Sequence, residues 1–386
     1  MNEFTSAGHL EAESRHTGGD FARRHTLTLG IFSSNLSGGL AVTTVPESWS
    51  GNWADNLALA TMIDTAGFDF MLPVARWNGF NGAGHYAESV LDPVALAAAV
   101  LAVTKQITVF STIHTAFHHP IAIAKQLATL HEIGAGRAGL NIVCGWNKNE
   151  YTMFGMDLPS DHGTRYRMGQ EWYEIMSRIW RGDAPFEYAG QHFKLGDVTG
   201  KPRPPAGRPI PILNAASSPE GREFAVRNAD TLFTVLTELE KGRTDVSSFK
   251  TQARASGREI GVFTPTYVVC RPTRAEAEDY HRYYADECAD HEAVEKLMAL
   301  QGLHSRSFEP DAYQRFKIRF AGGSGVYPLI GTPDDIADEL ERISQAGFDG
   351  ATLSFVNYVA ELPLFISEVL PRLEKKGLRL PVEQFA

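Results

Sequence analysis

Short apolar runs rich in β-branched residues alternate with longer stretches whose apolar residues recur at helical spacing, and this alternation constrains the fold more than any other feature of the chain. Residues 26–32 read as a first strand, ended by a cluster of loop formers over 33–39. Trp53, Leu57, Ala60, Met62, Ile63 and Ala66 then recur at helical spacing as far as Gly67. Residues 68–74, 107–113 and 139–144 read as further strands, with helices over 93–103 and 121–130 between them. The pattern resumes at 210–213, 231–235, 261–270 and 350–355, which makes eight strands. Apolar strands that alternate with helices predict a parallel sheet covered by helices, and eight of them predict an α/β fold of the (β/α)8 TIM-barrel type.

Length alone, 386 residues, admits one large barrel or two ordinary domains. The strand rhythm favours a single barrel domain over residues 26–380, preceded by a polar tail, residues 1–25, expected to be disordered. Two stretches interrupt the repeat: about 147–200, with a helix over 166–180 and a hairpin around 188–193, and about 273–328. Loops of this length are usually functional, and insertions after barrel strands lie at the catalytic, C-terminal face. The AGGSG segment, 321–325, is expected to be the hinge of a mobile lid.

Composition removes whole classes of function. With 46 acidic against 36 basic residues and a net charge of −10, no broad basic surface is expected for a nucleic-acid backbone. No apolar stretch suits a signal peptide or a membrane span, and Cys144, Cys270 and Cys288 lack disulfide or zinc spacing. A cytoplasmic enzyme that engages neither membrane nor nucleic acid is the expectation.

Barrel enzymes place reactive groups at the C-terminal ends of strands. There the second strand runs into Ala75, Arg76 and Trp77, the third carries Thr112 and runs into His114, Phe117, His118 and His119, and the fourth carries Asn141 and leads to Trp146. Asn141 offers two donors and an acceptor to the polar edge of a flat heterocycle or to bound oxygen, though a buried strand-end Asn also serves simply to satisfy backbone groups. Thr112 by itself is an ordinary strand residue. The histidines have no acidic partner nearby, so no metal site is expected; they read equally as satisfied loop histidines or, for His114 or His118, as a proton donor to substrate near neutral pH. After the fifth strand, Ser217 or Ser218 can cap a helix that has Glu220 in its first turn. A capped helix N-terminus also suits phosphate, which Arg165 and Tyr166 could complete. G-x-G-x-x-G after the first strand, the P-loop and the G-x-S-x-G elbow are all absent, which removes support for dinucleotide folds, NTPases and α/β-hydrolases.

The strings SGGL (37–40), FDF (68–70) followed by Arg76, GLNIVCGWNKNEY (139–151), GTRYRM (163–168) and LIGTP (329–333) resemble those of the luciferase-like flavin monooxygenases, over residues 27–378. Within that family the chain most resembles the dimethylsulfone and alkanesulfonate monooxygenases and the ring-opening pyrimidine monooxygenase. The resemblance implies that Ala75, Arg76, Asn141 and Glu150 contact FMN and that Arg165, Tyr166 and Ser218 hold its phosphate end. It also implies that Thr112 and Asn141 form an oxygen-binding pair near the flavin N5, leaving N5-oxide or C4a-peroxide chemistry open. Members of this kind are two-component enzymes: a separate NAD(P)H-dependent reductase supplies FMNH2, O2 is co-substrate, and the assembly is a homodimer or homotetramer.

The segment TIHTAFHHP (112–120) and Trp77 depart from the pyrimidine type, and suggest a small aromatic or N-heterocyclic substrate stacked on Trp77 or Phe117, with Trp146 in the same pocket. Alternatives that keep the fold are oxidation of a small organosulfur compound held by Arg76 and the histidines, deazaflavin-dependent hydride transfer, and a flavin-binding protein without catalysis.

Overall fold

Three phenylalanine–glycine pairs set the width of this barrel. In the computed structural model, which describes residues 25–381 except 184 and 304–309, Phe70 sits opposite Gly30, Phe110 opposite Gly139 and Phe263 opposite Gly350 in the registers of neighbouring parallel strands. Each ring lies where a side chain on the glycine would be: a Cβ at Gly139 would come within 2.6 Å of Phe110, one at Gly350 within 2.8 Å of Phe263, and one at Gly30 would enter the Phe70 ring. With Leu72, Leu213 and Phe233 these rings form a cluster of their own that plugs the barrel, so the interior is packed rather than open.

The elements run β1 (Thr28–Phe32), α1 (Trp53–Thr65), β2 (Phe70–Leu72), α2 (Pro93–Val103), β3 (Thr108–His114), α3 (Pro120–Ile133), β4 (Ala138–Val143), α4 (Lys148–Met153) and α5 (His162–Arg181). A hairpin of β5 (Phe186–Ala189) and β6 (Lys194–Val198) follows, then β7 (Ile212–Ala215), α6 (Pro219–Asn228), β8 (Thr231–Phe233), α7 (Leu239–Ala255) and β9 (Gly261–Cys270). The chain continues through α8 (Arg274–Arg282), α9 (His291–Leu300), α10 (Pro310–Gly323), β10 (Tyr327–Gly331), α11 (Pro333–Gln345), β11 (Gly350–Leu353), α12 (Tyr358–Leu364) and α13 (Leu370–Lys375). The ring is β1-β2-β3-β4-β7-β8-β9-β11, all parallel, and β11 closes it on β1. Among the described residues no helix is long and apolar enough to cross a membrane.

A repeated local device starts several helices after strands. Asp92, His119, Ser218 and Thr332 are each an N-cap followed directly by a proline, so a side-chain acceptor takes a free N–H while the proline occupies the one turn where its missing donor costs nothing.

The structure departs from the sequence reading in three places. A further strand ends the second insertion: β10 adds to the upper half of β9, from Tyr327 beside Thr266 to Gly331 beside Cys270, outside the closed ring. Segment 321–325 is no free hinge, because Gly322 and Gly323 end α10 packed against the Tyr267 ring and Ser324 Oγ donates to the Leu40 carbonyl at 2.9 Å. Residues 1–24 of the expected tail lie outside the described residues, whereas His25 is buried and accepts from the Leu380 N–H at 3.0 Å.

Candidate active site

Strand register brings Thr112 and Asn141 together. They are direct partners across β3 and β4, two residues above the Phe110–Gly139 pair, and therefore face the same interior. Asn141 Nδ2 donates to Thr112 Oγ1 at 3.0 Å, and Thr112 Oγ1 donates to the Pro73 carbonyl at 2.5 Å. The hydroxyl proton is thus committed to the end of β2, and the pair can present a ligand with the second Asn141 N–H and with Asn141 Oδ1, which is buried without a partner. Leaving such an acceptor unpaired costs about 1–3 kcal/mol, a cost that a ligand donor would remove.

Arg76 follows β2, and Glu150 comes from α4, the short helix that Asn147 caps. Glu150 Oε1 accepts from the Trp77 N–H at 3.1 Å and lies 3.9 Å from Arg76 Nε, too far for a hydrogen bond. Arg76 stacks between the rings of Trp146, 4.9 Å away, and Phe80, 5.1 Å away. Burial lowers its pKa, opposed by Glu150; burial raises that of Glu150, opposed by Arg76.

A cavity of about 270 Å³ opens at this face, walled by strand ends (Phe32, Val74, Phe233, Pro265), by Arg76, Trp146 and Ser217, and by Tyr86, Leu297, Gln301 and Ser324 from the loops and helices above. A shallower groove of about 700 Å³ follows the outer face of α1, but its lining of Ala54, Leu57, Ala58, Thr61 and neighbours carries no titratable group and lies away from the strand ends.

The histidines behave differently from expectation. Burial, with Arg76 as the next cause, pushes His114 down to about 3, which favours the neutral imidazole at pH 7 over the charged acid anticipated. It hydrogen-bonds the Ala75 backbone, and its Nδ1 is buried without a partner. Burial also lowers His118, and His119 caps α3. Trp77 and Phe117 pack edge-on at 5.1 Å in an aromatic cluster with His114 and Phe154, so of the three expected pocket aromatics only Trp146 is on the cavity wall. Among the described residues, no three His, Cys, Asp or Glu side chains converge as a metal site.

The anion end assembles from separate elements. Ser218 caps α6 by accepting from Gly221 N–H at 3.1 Å, and the Tyr166 hydroxyl of α5 bonds to the Ser218 side chain. Beside Tyr166, Arg165 is buried, donates from Nη1 to the Gly145 carbonyl at 2.8 Å and keeps Nε without a partner. The cavity wall reaches Ser217, the residue before Ser218.

Sequence reasoning missed several cavity residues. Phe32 and Phe233 end β1 and β8 and pack together at 5.2 Å, so the strand-end rule could have found them. Nothing in the sequence marks Tyr86, Leu297, Gln301 or Ser324, which reach the cavity only through the packing of distant segments.

Comparison with known proteins gives a consistent picture. The luciferase-like monooxygenase family model matches residues 27–350. The FMNH(2)-dependent dimethylsulfone monooxygenase of Pseudomonas fluorescens is 31% identical over 87% of this chain and 92% of its own length. Pyrimidine monooxygenase RutA of Allorhizobium ampelinum is 27% identical over 91% of this chain and 97% of its own. Among solved structures, riboflavin lyase RcaE superposes with a TM-score of 0.81 at 22% identity, over 92% of this chain and 93% of that one, a likeness of fold.

Proposed function

The chain belongs to the luciferase-like monooxygenase family, and from that premise we propose that it binds FMNH2 at the barrel mouth and uses O2 to oxygenate a small organic compound, an aromatic or N-heterocyclic ring being the leading class. The observation that carries the proposal is the unpartnered Asn141 Oδ1 beside the hydrogen-bonded Thr112, on β4 and β3 of the barrel ring.

The residues fit the cofactor. Ser218, Tyr166 and Arg165 would take the phosphate: a capped helix start, a hydroxyl and a buried guanidinium with an unused N–H. The Ala75–Arg76 peptide, fixed from behind by His114, would flank the ring system, with Glu150 tying Trp77 in place. Reduced FMN, when bound, supplies the two electrons that activate O2. Thr112 orients the Asn141 amide; that amide offers one N–H and one acceptor to the oxygen and flavin edge. Apolar walls from Phe32, Phe233 and Leu297 would keep water away from the reacting atoms.

As the relatives' names indicate reduced flavin as their reagent, the same reading includes a separate NAD(P)H-dependent reductase that delivers FMNH2. The test is reconstitution with such a reductase, NAD(P)H, FMN and O2 against a panel of N-heterocycles, aromatics and organosulfur compounds. An oxygenated product that requires both O2 and this chain is expected; no such product from the whole panel would sink the proposal.

A further inference from the structure

The cavity has an electrostatic feature beyond the flavin contact that the resemblance implies for Arg76. Its wall holds one charged side chain, Arg76, while the remaining polar groups are hydroxyls and one amide. Within the described residues the Arg76 guanidinium donates no hydrogen bond; Nε and Nη1 are enclosed without partners, and the side chain keeps 14% of its surface accessible. Among the described residues its one nearby anion, Glu150, is held at 3.9 Å by its own bond to the Trp77 N–H. Two aromatic faces hold the guanidinium plane.

We propose that Arg76, rather than a histidine, recognises the substrate, and that the substrate carries an oxyanion, a carboxylate in the simplest case, on a small apolar body. A guanidinium already desolvated and held by Trp146 and Phe80 has met its desolvation and ordering costs during folding, so pairing with an anion costs chiefly the anion's own desolvation. The apolar remainder of the wall, from Phe32, Val74, Phe233, Val235, Pro265 and Leu297, suits a hydrocarbon body. A cationic ligand would instead place like charges together in a low-dielectric space. This inference rests on the preceding reading for placing the substrate in this cavity; under that reading the Ala75–Arg76 backbone serves the flavin, which leaves the guanidinium for the substrate.

The test uses the full chain saturated with FMN in its reduced form under anaerobic conditions, titrated by calorimetry with benzoate, benzyl alcohol and benzylamine as probes of one shape and three charges. Benzoate is expected to bind about tenfold or more tighter than benzyl alcohol, with benzylamine weakest. In Arg76→Met, again at saturating FMN, benzoate and benzyl alcohol are expected to bind within about twofold of each other, while Arg76→Lys retains part of the preference. Equal binding of benzoate and benzyl alcohol to the wild type, or a preference that survives in Arg76→Met, overturns the inference. Loss of FMN binding in both Arg76 variants, each still folded by circular dichroism, also overturns it by assigning the guanidinium to the flavin. Failure of the wild type itself to bind FMN overturns the reading beneath.

Discussion

Two arginines at opposite ends of the barrel, Arg379 buried and Arg76 largely enclosed, are treated in opposite ways. At the N-terminal end, Arg379 donates to the Asp69 carboxylate at 2.7 Å and to the carbonyls of Leu27 at 3.1 Å and Gly67 at 2.6 Å; Asp69 also accepts from the Leu29 N–H at 2.8 Å. That network ties the C-terminal segment across β1 and β2. At the mouth, Arg76 has a carboxylate no closer than 3.9 Å and no hydrogen bond among the described residues, and Asn141 Oδ1 and His114 Nδ1 are likewise unpartnered. Burial alone does not distinguish the two ends; hydrogen-bond saturation does. The Arg379 guanidinium is engaged as folded, whereas that of Arg76 is complementary to something outside the chain.

Substitutions can break this contrast. Arg379→Met takes the guanidinium from the Asp69 carboxylate, which keeps the Leu29 N–H and His25, and is expected to cost about 3 kcal/mol in chemical denaturation, whereas Arg76→Met, which breaks no hydrogen bond, should cost about 1 kcal/mol or less. Comparable losses at both sites would erase the distinction. Asn141→Ala is expected to reduce O2-dependent turnover about 100-fold or more, with the thermal midpoint nearly unchanged; full turnover would remove Asn141 from the oxygen site.

The plug below gives an intermediate effect. Gly30→Ala drives a methyl into the Phe70 ring and is expected to destabilise by about 1–3 kcal/mol, measured as a lower denaturation midpoint with an unchanged m-value. A further effect, absent at neutral pH, appears on acidification. His114 titrates near 3 in the fold against about 6.5 when unfolded, so the unfolded chain binds the extra proton first and stability falls as pH drops from about 6.5 towards 3. Denaturation midpoints of His114→Phe should therefore show a shallower decline across that window than the wild type. Parallel acid limbs would show that His114 is not held neutral by its surroundings.

Much of the barrel was legible because its signals are local. Each ring strand coincides with an apolar run, and the cap–proline pairs at Asp92, His119, Ser218 and Thr332 mark helix starts in the sequence itself. Strand β10 was hidden because it pairs only with the overhanging half of β9, so nothing in its own sequence separates it from the insertion before it. The candidate site was half legible. Thr112 and Asn141 were recognisable as strand-end polar groups, but their pairing depends on the β3–β4 register, a relation between residues 29 positions apart. His114 was misread for a related reason: a histidine's unperturbed pKa suggests acid–base work, and only packing against Trp77 and Phe117 beside Arg76 reveals that its charged form is disfavoured. Tyr86 and Ser324, hydrogen-bonded at 2.8 Å across the cavity roof, belong to segments that meet only in the fold.

The central claim is that the barrel mouth is the complement of reduced FMN and its substrate, with the unsaturated Arg165 at the flavin's phosphate end. Anaerobic titration of the chain with FMNH2, followed by flavin fluorescence, tests it most directly. Saturable one-to-one binding, weakened about tenfold by Arg165→Met, is the predicted result; no saturable binding, or the same affinity without the Arg165 guanidinium, would contradict it.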